Sequence, residues 1–76
     1  MKKSIVVIAE RLRAARLAAQ LTESELATKA KLKTAYVSEI EAGHDNLTMP
    51  AFLRWCQALK LDPSKVLARL DREDRR

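Results

Sequence analysis

Five closely spaced residues, Lys33, Thr34, Ala35, Tyr36 and Glu39, carry the most specific chemistry in this chain of 76 residues. Lys33 can donate to guanine O6 and N7 or to a phosphate. Thr34 and Ala35 can touch a thymine methyl, and Glu39 can accept from cytosine N4. Tyr36 can donate to a phosphate or pack on a sugar. The plainer alternative is a solvated helix with a structural tyrosine. Catalysis has less to work with. Cys56 is the only cysteine and His44 the only histidine, and no nucleophile–base pair or metal cluster is formed around them. No cofactor is implied. Cys56 lies in the apolar run FLRWCQAL and reads as a core thiol. A lone reduced cysteine fits a cytoplasmic setting.

The formal net charge is +5, which permits nucleic acid as a partner. The charge is uneven. Residues 1–21 carry +4, five basic residues against Glu10, while Glu39 and Glu41 give residues 34–43 a charge of −2. No stretch is long enough to span a membrane. The start MKKSIVVIAE mimics an export signal, but its apolar run stops at Glu10 and no small-residue cleavage site follows.

Five helices must position these groups, with no strand signal. Residues 4–19 place Ile5, Ile8, Leu12 and Ala15 at three- and four-residue spacing, with Ala9, Arg16 and Ala19 flanking that face and Ser4 as the expected cap. Arg11 and Arg13 should point away from it. The run TESE from Thr22 to Glu25 is a capping box that opens a second, short helix ending near Ala30. Leu26, Ala27 and Ala30 give that helix a narrow face. Lys31, Leu32 and Lys33 form a turn, with Leu32 as its buried plug. A third helix follows from about Thr34 to Ala42, with Val37 and Ile40 inward, and Gly43, the only glycine, stops it. Thr48 caps a fourth helix with Pro50 in its first turn. Met49, Phe52, Leu53, Cys56 and Leu59 form its expected apolar face, with Trp55 at the edge. Asp62-Pro63 starts a fifth helix running to about Asp71, and residues 72–76 read as a frayed tail. The whole, residues 1–76, reads as one domain with a helix-turn-helix at about 22–42.

Two helices joined by a four-residue turn define a helix-turn-helix. The stretch LRAARLAAQLTESELATKAKLKTAYVSEIEAG resembles the Cro/C1-type (XRE-like) helix-turn-helix regulators, and NLTMPAFLRWCQALKLDPSKVL resembles their last two helices. The short form is similar to phage repressors, restriction–modification controller proteins and some antitoxins. The resemblance implies an all-α, five-helix lambda-repressor-like DNA-binding domain without enzymatic activity. It also implies a salt bridge between Arg16 and Glu41, a tight helix crossing at Leu26-Ala27, and a Ser-x-Ile-Glu-x-Gly signature at Ser38, Ile40, Glu41 and Gly43. The chain departs from the family at Gln20, Lys31 and Lys60, where glycine is common. A left-handed backbone there would cost each non-glycine residue about 1 kcal/mol. Glu23 stands where the family often has a phosphate-binding glutamine, and a carboxylate repels phosphate. Glu39 stands where the family often has glutamine or arginine.

In this motif the second helix lies in the major groove, so Lys33, Thr34, Ala35, Tyr36 and Glu39 are the expected base contacts. Thr22, Lys29, His44, Asn46 and Thr48 are the expected phosphate contacts, from helix starts and the loop after the third helix. Few loop cations imply weak binding per monomer, which favours a homodimer on a palindrome. Trp55, Leu61, Val66 and Leu70 are the expected interface, against a plainer core role for Trp55. The leading expectation is a sequence-specific, dimeric transcriptional regulator of double-stranded DNA. The alternative is a protein-interaction module, such as an antitoxin or adaptor, with a protein partner in place of or beside DNA.

Overall fold

The computed structural model describes residues 3–70 and contains five helices, with no strand among the described residues. They are α1 (Ser4–Ala18), α2 (Glu23–Ala30), α3 (Thr34–Glu41), α4 (Met49–Ala58) and α5 (Pro63–Val66). The expected tail at 72–76 lies outside the described residues. No described helix is long and apolar enough to cross a membrane.

Four of the five helices end in the same way. After α1, α2, α3 and α4 the chain turns through a left-handed residue at Gln20 (φ 60°), Lys31 (φ 58°), Gly43 (φ 96°) and Lys60 (φ 56°). Each turn carries the paired bonds of a Schellman motif. In α2, Leu32 N–H donates to Ala27 O at 2.8 Å and Lys31 N–H to Thr28 O at 3.3 Å. In α4, Leu61 N–H donates to Cys56 O at 2.8 Å and Lys60 N–H to Gln57 O at 3.1 Å. Gln20, Lys31 and Lys60, where the family commonly has glycine, thus adopt the left-handed geometry although each carries a Cβ. In three of the turns the next residue is a leucine, Leu21, Leu32 or Leu61, half-buried in each case.

The starts are capped by side chains where the sequence supplies oxygens. Thr22 Oγ accepts from Glu25 N–H at 3.0 Å, and Glu25 Oε1 accepts from Thr22 N–H at 2.8 Å. The bonds to Thr22 hold the Glu25 carboxyl below its ordinary pKa. Thr48 Oγ caps α4 and Asp62 caps α5. Ser4 does not cap α1. It is the first helical residue, and Lys3 takes the cap position without a side-chain bond.

The core joins Leu12, Leu26, Val37, Ile40, Trp55 and Cys56, all at or near zero exposure, with Ala27, Phe52 and Val66. Burial pushes the Cys56 thiol above its ordinary pKa, so it stays protonated. Two faces differ from expectation. On α1 the fully buried residues are Val7, Ala9, Leu12 and Arg16, while Ile5 and Ile8 are only half-buried. On α4 the inward face is Ala51, Phe52, Trp55 and Cys56, and Met49 and Leu53 are 60% and 47% exposed. Trp55, the largest side chain on α4, sits at the centre of its buried face rather than its edge. The helix is rotated to bury the indole.

The fifth helix closes after one turn, at Val66, short of the expected end near Asp71, which itself lies outside the described residues. Arg11 explains where it stops: Nη1 donates to Val66 O at 2.7 Å and Ala68 O at 2.6 Å. A cation from α1 thus satisfies carbonyls that a longer helix would have bonded internally. Arg69, left-handed at φ 65°, follows. Arg11 was expected to point to solvent and instead ties α1 to α5.

Candidate nucleic-acid interface

Helix α3 is seated by Val37 and Ile40, which enter the core, and presents Lys33, Thr34, Ala35 and Glu39 exposed on its outer side. Lys33 is the cap residue of α3, so its backbone bends away from the helix at the end that begins the exposed row. Tyr36 is half-buried against the core. Its hydroxyl donates to Asn46 O at 3.0 Å and accepts from Thr48 N–H at 3.2 Å. The one phenolic proton is spent inside the fold. Tyr36 braces the loop between α3 and α4.

Two polar clamps hold α3 in place. Arg16 Nε donates to Glu41 Oε2 at 2.8 Å and Nη2 to Oε1 at 3.0 Å, a two-pronged pair whose side chains are 9% and 3% exposed. A third donation, from Nη1 to Leu21 O at 2.7 Å, fixes the turn after α1. The bond to Glu41 raises the Arg16 pKa, against the opposing effect of burial. Within one turn of Glu41, Ser38 Oγ donates to Glu23 Oε1 at 2.7 Å. Glu23 is half-buried and bridges α2 to α3. Its carboxylate is engaged within the motif, so its charge is directed at Ser38 and toward Arg16 and not freely at a phosphate.

The residues expected to meet phosphates divide into two groups. Thr22, His44, Asn46 and Thr48 are exposed, and their segments border α3. Thr22 caps α2 beside the Glu23–Ser38 bond. The loop carrying Asn46 and Thr48 is tied to α3 by Tyr36, and Asn46 Nδ2 also donates to Glu39 Oε1 at 3.4 Å. Lys29 is elsewhere. It lines a cleft between α2 and α4 with Lys31, Arg54 and Gln57, and no α3 residue lines that cleft.

The expected dimer residues need correction. Trp55 has no exposed surface and Val66 is 6% exposed, so both are core and neither can meet a second copy. Leu61 and Leu70 are half-buried. The exposed apolar residues of α4 are Met49 and Leu53, and Met49 lines a cleft of about 240 Å³ with Ile5, Ile8, Leu47, Phe52 and Leu67 and the polar Ser4, Asp45 and Thr48. The Ser38–Glu23 bridge, the Tyr36 brace and the Arg11 cap were not foreseen. Their only sequence signal is polar residues placed where helices cross, and spacing alone does not pair them. No group of His, Cys, Asp or Glu that could hold a metal is present among the described residues.

A family model described as a helix-turn-helix domain matches residues 7–70. No curated protein matches in sequence. Among solved structures, the restriction-modification controller protein C.AhdI from Aeromonas hydrophila is 31% identical, with a TM-score of 0.78 over 82% of this chain and 94% of that one. A single-substitution mutant of the controller protein C.Esp1396I is 26% identical, with a TM-score of 0.79 over 91% and 90%. The clp gene regulator ClgR from C. glutamicum is 23% identical, covers 96% and 95%, and has a TM-score of 0.84, a likeness of fold.

Proposed function

The chain belongs to the helix-turn-helix domain family of DNA-binding, non-enzymatic transcription regulators, and from that premise we propose that it acts as a cytoplasmic homodimer on a palindromic operator, reading bases with α3. The observation that carries this reading is the exposed row Lys33, Thr34, Ala35 and Glu39 on a helix whose second half is clamped at Ser38 and Glu41. A rigid row of donors and acceptors can discriminate base edges, because the ordering cost is met in the free protein. Thr22, His44, Asn46 and Thr48 grip the flanking phosphates, and Tyr36 acts by holding the loop that presents two of them. The dimer forms through Met49 and Leu53 with the adjoining cleft. That patch starts at the Thr48 end of α4, so a two-fold axis there joins the ends that carry the phosphate contacts. Each α3 then lies in a major groove about 34 Å from its twin.

Substitution in the row tests the reading. Thr34→Ala and Tyr36→Ala should each weaken binding to a selected operator about tenfold, one by losing a base contact and the other by loosening the loop. Circular dichroism should stay native. Unchanged affinity in both variants would show that α3 does not enter the groove.

A further inference from the structure

The cleft between the end of α2 and the second half of α4 is basic and takes no part in the proposed reading of DNA. Its volume is about 380 Å³, and Lys29, Lys31, Arg54 and Gln57 rim a floor of Ala30 and Ala58. The three cations are exposed, and among the described residues none forms an ion pair. The nearest carboxylate along α2, Glu25, feels the charge of Lys29 but is spent on the Thr22 capping box. Arg54 Nη1 makes one long donation, 3.4 Å, to Lys31 O, which draws the guanidinium toward the lysines despite their like charge. The contrast with the rest of the molecule is chemical. Arg16 is matched by Glu41, and Arg11 by two carbonyls, while these three like charges are held around one concavity without an ion-pair partner among the described residues.

We infer that this cleft is a docking site for an acidic segment of a partner protein, with glutamate or aspartate side chains set between Lys29, Lys31 and Arg54. Charge complementarity and shape both favour this occupant. The two alanines leave room for a peptide backbone along the floor, and Gln57 can pair with a backbone amide. A duplex is too broad to enter a cleft that holds only a few side chains. Arg54 and Ala58 line the cleft from the edge of α4 opposite Met49 and Leu53, so their side of it stays open when a second copy covers that apolar edge. It also lies at the opposite end of α2 from the Glu23–Ser38 bond, and no α3 residue lines it, so it stays open when α3 is on DNA. A regulator built this way binds DNA and an acidic partner together.

The test uses the full chain with a fluorescein-labelled oligoglutamate, followed by anisotropy and by backbone amide shifts. The largest shifts should fall on Lys29, Ala30, Lys31, Arg54, Gln57 and Ala58. Lys29→Gln with Arg54→Gln should weaken binding about tenfold, while Lys65→Gln should leave it unchanged. The peptide should also bind the complex with an operator duplex as tightly as it binds the free protein. Shifts centred on α3, or an equal loss in Lys65→Gln, would reduce the effect to overall charge and overturn the site. Competitive displacement of the peptide by duplex, with the same amides moving, would reassign the cleft to DNA phosphates and overturn it as well.

Discussion

The pair between Arg16 and Glu41 shows what a single residue does here. Both side chains are nearly closed off from water, so neither charge is tolerable without the other. Arg16→Met leaves Glu41 buried, with the more exposed Arg13, 4.0 Å away, as its remaining cation. A loss of about 3–5 kcal/mol in urea unfolding is expected. The double variant Arg16→Met with Glu41→Leu should recover most of that loss, because a well-packed apolar pair removes both desolvation costs. A double variant no more stable than the single one would place the value of Arg16 in its bond to Leu21 O instead. The same scale explains Glu23. A carboxylate at the front of α2 conflicts with phosphate binding when considered alone. Its bond to Ser38 makes it part of the clamp that holds α3.

At the scale of the element, the helix ends are the recurring device. Four Schellman turns set where α1 to α4 stop; three of them are followed by a half-buried leucine just after the left-handed residue, and two of these, Leu32 and Leu61, pack against the core. The steps Gln20-Leu21, Lys31-Leu32 and Lys60-Leu61 are its sequence trace. Lys31→Gly removes a Cβ from a left-handed backbone and should stabilise by about 0.5–1 kcal/mol after the added freedom of the unfolded chain is counted. A rise of about 4 °C in melting temperature by circular dichroism would match that gain. A fall would mean that Lys31 relaxes out of the left-handed region in solution. The element boundaries up to α4 were legible because caps and stops are local chemistry. The end of α5 was not, because it depends on Arg11, which lies 55 residues away from Val66 in the chain. The apolar face of α4 was misread for a related reason. Met49, Leu53 and Trp55 are all apolar, and only the packing of α2 against α4 shows which of them is inside.

At the scale of the molecule, the chain separates its surfaces by edge. One edge of α4 carries Met49 and Leu53, the other carries Arg54 and Ala58, and the exposed row of α3 is distinct from both. Leu53→Glu should raise the dimer dissociation constant about 100-fold in sedimentation equilibrium while the monomer stays folded, because a charge cannot be left desolvated at the centre of an apolar contact. An unchanged dimer would move the interface to another face.

The most direct measurement is fluorescence anisotropy with a palindromic duplex selected from a random pool, compared with random duplex of equal length at about 0.15 M salt. Binding to the palindrome should be about 1,000-fold tighter than to random sequence, with two chains per duplex. Equal affinity for the two duplexes, or one chain per palindrome at saturation, would contradict a dimeric regulator that reads sequence through α3.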